Sequence, residues 1–156
     1  MSNQTQQTSE YLAEYIDRAE EVDPADFQHI FEAAEPGYTP LEEPDYYRWF
    51  LIKNMPIKAF PVSLKTIMQG AEDPDLERQQ HDTIVELLEA GEPAWPVAVG
   101  LGGRILDGYH RIAAHRTLKL PTIDALVSVP AKRHPDYGLH QSPLEKAWLK
   151  EFKRVP

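Results

Sequence analysis

The sequence predicts one α+β domain, and three observations carry that prediction. The chain has 156 residues, of which 42% are hydrophobic. That is enough for a single core and far from the composition of a disordered chain. Apolar spacing switches along the chain between a strand-like period of about two and a helical period of about 3.6. Pro and Gly, at 14 and eight residues, punctuate the segments as turns and links.

Met1–Thr8 is polar and is expected to fray. Ser9–Glu21 reads as a helix capped by Ser9, with Tyr11, Leu12, Tyr15, Ile16 and Ala19 at helical spacing. Asp23 and Pro24 open a second helix, with Phe27, Ile30, Phe31 and Ala34 on its apolar face and Pro36-Gly37 at its end. Glu35–Asp45 is a proline-rich loop. Tyr46–Ile52 suits a strand or a short helix. Met55–Val62 reads as an extended strand near a sheet edge, because Pro56 and Pro61 cannot donate to a ladder.

Ser63–Met68 suits a short helix and Gly70–Pro74 a loop. Leu76–Ala90 is the clearest helix, with a stripe of Leu76, Ile84, Leu87 and Leu88 and with Gly91 as its C-terminal stop. Pro93–Pro96 is a rigid link. Val97–Leu101 and Arg104–Leu106 form strands about a Gly102-Gly103 turn. A helix then runs from Tyr109, with Ile112, Ala113, Leu118 and Leu120 on one face and Pro121 as its stop. Thr122–Val129 is another strand, and Pro130–Gln141 is a loop. Ser142-Pro143-Leu144-Glu145 is a capping box that opens a last helix, with Leu144, Trp148, Leu149 and Phe152 on one face. Residues 1–54 form an N-terminal helical addition and linker, 55–129 the core, and 130–156 a C-terminal loop and helix. Packing of the terminal helices within the chain is the favoured reading over docking of a protein partner.

Charge and cysteine content narrow the function. The net charge of −9 argues against broad binding to duplex DNA, which needs a basic face. A local basic patch around Arg104, His110, Arg111, His115, Arg116 and Lys119 is compatible with that background. The chain has no cysteine, which excludes thiol catalysis, disulfides and thiolate metal sites. The polar start and short apolar runs contain no leader or membrane span, so a cytoplasmic protein is expected.

The chemistry concentrates at Ile105–Leu120. Ile105 and Leu106 end a strand, Asp107-Gly108 breaks it, and the helical period begins at Tyr109. His110 and Arg111 then lie in the first helical turn, where the helix dipole favours acids. An anion on the free backbone N–H groups, gripped by Arg111 and His110, would remove that mismatch. The alternative is a common strand–Gly–helix junction with a solvated His and Arg. His115 and Arg116 lie a turn later and read as solvent-facing. His110 and His115 are not at the spacing of a helical metal pair, and His134 and His140 lie in a loop.

The segment order and the signature Asp107-Gly108-Tyr109-His110-Arg111, followed by Ala113-Ala114 and Leu118-Lys119-Leu120-Pro121, resemble the ParB/sulfiredoxin superfamily. The resemblance covers about half the chain, Met55 to Val129, and implies a small mixed sheet flanked by helices. It also implies a nucleotide-phosphate site for ATP, ADP or CTP with Mg²⁺. Gly108 would give backbone access beside Tyr109, His110 and Arg111 would contact phosphate oxygens, and Asp107 would orient the turn or hold the metal. In serine-kinase-like members a Glu near the preceding helix acts beside the acceptor hydroxyl, and Glu77 falls at that place. Asp73, Asp75, His81 and Asp82 are competitors for that role. Tyr109 stands where sulfiredoxin has its reactive Cys, so sulfinic-acid reduction is excluded in its known form. The residues after Val129 leave no room for the DNA-binding and dimer modules of partition proteins. The resemblance therefore implies a nucleotide hydrolase or small phosphotransferase acting on a small-molecule acceptor. A ParB-like nuclease or plasmid-transfer protein and a non-catalytic interaction module are the alternatives.

Overall fold

Strand β5 (Thr122–Pro130) is buried from Ala125 onward and is the centre of a five-stranded sheet. The structure is a computed structural model and describes residues 3–27, 47–100, 102–130 and 143–152. On one side β5 pairs antiparallel with β2 (Tyr47–Pro56), which pairs antiparallel with β1 (Glu20–Val22). On the other side β5 runs parallel to β3 (Val97–Gly100), which pairs antiparallel with β4 (Ile105–Asp107). The order β1-β2-β5-β3-β4 makes a mixed sheet. The described α-helices are α1 (Asn3–Glu14), α2 (Leu64–Gln69), α3 (Pro74–Glu89), α4 (Tyr109–Thr117) and α5 (Pro143–Phe152). The chain is therefore α+β, with helices flanking the sheet.

Alternation along the strands divides the core between two faces. Phe50, Ile52, Val97, Val99, Ala125 and Val127 lie in one cluster with Leu12 and Ile16 from the N-terminal segment, Ile112 from α4, and Leu144 and Trp148 from α5. Trp49, Ala98 and Leu126 are buried in a second cluster, with Val22, Phe27, Leu51 and Leu106 beside them. Each fully buried side chain of this size is worth roughly 1.5–3 kcal/mol. The terminal helices therefore spend apolar surface on the core.

Several element readings need correction. Residues before Ser9 belong to α1, which begins at Asn3. Ser9 is a buried mid-helix residue whose hydroxyl accepts from the Leu144 N–H at 3.0 Å. Thr8 is buried too and donates to the Ala59 carbonyl at 2.8 Å. Small polar residues that read as a frayed start are anchors to distant backbone. After Glu14 the chain makes a 3-10 turn at Ile16–Arg18 and enters β1. Arg48 on β2 clamps that strand, donating through Nε at 2.7 Å and Nη2 at 3.0 Å to the Glu21 carboxylate. The Arg48 hydrogen bond holds Glu21 below its ordinary carboxylate value against the opposing effect of burial. Asp23 and Pro24 open a 3-10 turn, Pro24–Phe27, and the rest of that expected helix lies outside the described residues.

Tyr47–Pro56 is a strand, and the boundary drawn at Met55 falls inside it. It is not an edge strand, although β1 covers only Trp49–Leu51, so Pro56 lies beyond that partner. A bulge sets Lys53 and Asn54 against Asp124. Asn54 takes φ +57 there, and its N–H donates to Asp124 at 2.9 Å, a conformation Asn tolerates well. A 3-10 turn at Ile57–Ala59 replaces the expected extension. Ser63 and Thr66 cap α2 reciprocally. Gly91, at φ +85, closes α3, its N–H donating to the Leu88 carbonyl and that of Glu92 to the Leu87 carbonyl. Leu101, Ser142 and the loops expected at Glu35–Asp45 and beyond Pro130 lie outside the described residues.

Gly103 fixes α1 to the hairpin. It has φ +90, and a Cβ there would lie 2.3 Å from the Thr5 carbonyl oxygen and 2.8 Å from the Ser9 nitrogen. Neither backbone atom can yield without moving the helix. We therefore expect Gly103→Ala to lower the unfolding free energy by about 2–4 kcal/mol, from strain plus overpacking. Urea titration reads this as a lower midpoint, and an unchanged midpoint would refute the contact.

Candidate functional site

Helix α4 starts on Gly108, which has φ +110. L side chains rarely adopt that backbone conformation. A Cβ at this position would stand 3.0 Å from Arg111 Nη2 and 3.2 Å from Cα and Cγ2 of Val97. The missing side chain thus turns β4 into α4 and lets β3 and Arg111 close on the turn.

No side chain caps α4, and its first turn contains no acid. Its leading N–H groups are the positive end of the helix dipole, and Arg111 adds to the charge there. The compensating carboxylates come from elsewhere in the fold. Arg111 Nη2 donates to Oδ2 of Asp107, the last residue of β4, at 3.3 Å. His110 Nε2 donates to Oε2 of Glu77 in the first turn of α3. Two helix N-terminal turns therefore meet at one hydrogen bond. Asp73 caps α3 by accepting from the Leu76 N–H at 3.2 Å. Of the two helix starts, α4 is the one left without a cap.

The fold thus brings Glu77, Asp107, Gly108, His110 and Arg111 together. Tyr109 shares the turn and is exposed. Among the competing acids, Asp73 is the cap of α3 and Asp82 faces His81 at 2.9 Å. Among the described residues, no group of three or more His, Asp or Glu side chains is placed to hold a metal ion. Asp107 would be a metal ligand in the company of phosphate oxygens, as Mg²⁺ sites commonly are.

The inward face of α3 differs from the expected leucine stripe. Leu76 and Leu87 are exposed, and the face turned inward is Glu77, His81, Ile84, Val85 and Leu88. His81 is buried and donates from Nε2 to the Thr117 hydroxyl at 2.7 Å, which donates in turn to the Ala113 carbonyl. This bond ties α3 to α4 about one turn further along α3 and two further along α4 than the Glu77–His110 contact. The four-residue spacing of Glu77 and His81 was its sequence signal.

His115 and Arg116 do not face solvent as expected. His115 is 2% exposed, and its Nδ1 donates to the Arg111 carbonyl at 2.6 Å. Arg116 Nη2 donates to the carbonyls of Phe60 at 2.7 Å and Ile57 at 3.2 Å. The helix also ends earlier than Pro121. Lys119 takes φ +57, and the N–H groups of Lys119 and Leu120 close the last turn on Arg116 and His115. Leu120 is therefore exposed rather than on the buried face.

Burial sets the electrostatics. The Arg111 side chain is 14% exposed. Desolvation lowers its pKa from the ordinary arginine value, and the Asp107 charge and hydrogen bond oppose that. Its Nε is buried and has no partner among the described residues. Desolvation also pushes His115 below the ordinary histidine value, opposed by its bond to the Arg111 carbonyl. No protein-family model, curated protein or solved structure matches the chain.

The His115 shift has a defined sign. The unfolded chain takes up this proton first as pH falls, so the stabilisation is full above the unfolded value of 6.5. It is lost as pH falls through the lower folded value. Glu21 acts in a separate window, below its ordinary 4.5. We expect the unfolding free energy to fall as pH drops below about 6.5, and to fall less steeply in His115→Gln. Urea melts across pH test this, and equal slopes would refute it.

Proposed function

We propose that the chain is a nucleotide-phosphate-binding protein of the ParB/sulfiredoxin type, with Asp107–Arg111 as its phosphate turn. Its proposed activity is hydrolysis of ATP, ADP or CTP, or phosphoryl transfer to a small acceptor. The observation that carries this reading is the pairing at the start of α4. Glu77 and Asp107 hold His110 and Arg111 against an uncapped helix N-terminus. A β4–Gly–α4 unit that leads into β5, parallel to β3, supports the fold assignment.

Phosphate oxygens would accept from the first-turn N–H groups and from Arg111. A guanidinium has five N–H donors, so it can serve Asp107 and a phosphate together. Such charge-assisted pairs are about twice as strong as neutral hydrogen bonds. Asp107 is the residue that would hold a Mg²⁺ ion, whose charge would offset that of the phosphate. Glu77 is best read as a positioning residue. By accepting from Nε2 it fixes the imidazole of His110 and leaves Nδ1 to exchange a proton with water or an acceptor hydroxyl. The nuclease alternative has less support, given the −9 charge and the absence of a three-ligand group among the described residues.

A thermal-shift panel with ATP, ADP, CTP and GTP, each with and without Mg²⁺, tests the site. A nucleotide at a hundred times its Kd adds about 2.7 kcal/mol, a rise of roughly 5–10 °C for a chain of this size. Arg111→Ala should weaken that binding about 10- to 100-fold. Glu77→Gln should keep binding and lower turnover by about 100-fold. No shift with any nucleotide, or unchanged affinity in Arg111→Ala, would overturn the assignment.

A further inference from the structure

We infer that a cavity behind Arg111, which borders the phosphate turn through that residue, binds a small apolar monocarboxylate. The cavity lies between the second half of α3, the link after it and α4, and has a volume of about 200 Å³. Ile84, Leu87, Leu88 and Trp95 supply apolar wall, and Arg111 and His115 supply the polar wall. This inference does not rest on the nucleotide reading.

Size and charge select the ligand. A cavity of about 150 Å³ accommodates benzene, so about 200 Å³ suits one ring or a short branched chain with one polar head. Arg111 selects that head. Its guanidinium is on the cavity wall and is largely buried, and its 3.3 Å contact to Asp107 engages Nη2. A cation in a mostly apolar wall favours an anionic partner, and a carboxylate matches the donors of a guanidinium fork. Burial disfavours a second cation at His115, whose Nδ1–H is donated to the Arg111 carbonyl.

Glu92 also lines the cavity and is exposed, which sets the charge limit. Arg111 can meet one negative charge, but a second would face the carboxylate of Glu92. That distinguishes this ligand from a phosphate. Trp95 and Leu87, 43% and 48% exposed, place apolar area at the mouth that a ring or branched chain would cover.

The test is an NMR titration of the ¹⁵N-labelled full chain with sodium benzoate. Saturable shifts are expected over residues 84–95 and 111–115, with a Kd of about 1 mM or tighter. Benzyl alcohol, which lacks the charge, and phthalate, which carries two, should each bind at least about 10-fold more weakly. Ala94 is exposed and lines the cavity, so Ala94→Trp should fill it, keep the melting temperature and weaken benzoate about 10-fold or more. Leu87→Asp should cause a similar loss by charge. Absence of saturation up to about 10 mM, equal binding of benzyl alcohol, or unchanged binding in both variants would overturn the inference. So would shifts confined to Tyr109 and His110 that inorganic phosphate reverses, because benzoate would then occupy the phosphate turn. Neither result depends on whether nucleotide binds.

Discussion

The absence of a side chain at position 108 is the constraint on which the site depends. The positive φ of Gly108 directs the chain from the sheet into α4 within one residue. The empty Cβ position lets Val97 and the Arg111 guanidinium close on the turn from two sides. Arg111 then folds back to Asp107, and His110 is left directed at α3. A larger residue would meet the backbone of a strand paired on both sides, which cannot retreat. Sheet and site are therefore coupled through van der Waals contact before any hydrogen bond forms.

The site is also an electrostatic compromise between two helices. Each N-terminal turn is positive, and the two lie side by side. The first turn of α3 contains Asp75 and Glu77 and is capped by Asp73. Glu77 extends that surplus of negative charge to His110. His81 repeats the link deeper in the interface through Thr117. One helix lends its acids to the other, whose own first turn has none. These side-chain hydrogen bonds tie the two helices together at two levels.

Much of this was legible in the sequence. The change of apolar period at Asp107-Gly108, the helical segments at Ser63–Met68 and Leu76–Ala90, the Gly91 stop and the glycine hairpin are local features, and each appears where its chemistry requires it. His110 and Arg111 at a helix start were legible as a charge anomaly, and Glu77 was singled out through resemblance. What was not legible depended on long-range contacts. Thr8 and Ser9 look like solvated helix-start residues until Ala59 and Leu144 are seen beside them. Arg116 looks like surface charge until the carbonyls of Ile57 and Phe60 are seen beside it, and His115 until its bond to the Arg111 carbonyl is seen. The exposed Leu76 and Leu87 show the converse, since helical spacing identifies an apolar stripe without saying what covers it. In α3 the buried face is carried partly by His81, a residue that hydropathy alone would turn outward.

The Ser9–Leu144 bond has a consequence for the order of events during synthesis. Its partners are 135 residues apart in sequence, so the bond closes a very long loop. Such contacts slow folding because their entropy is lost before their energy is gained. Helix α1 leaves the ribosome early, but its partner in α5 emerges only after the whole sheet has been made. Until then Leu12 and Thr8 have part of their final environment and Ser9 lacks its acceptor role. The nascent sheet must persist with one face incompletely covered, and the last helix completes the fold by docking on the first.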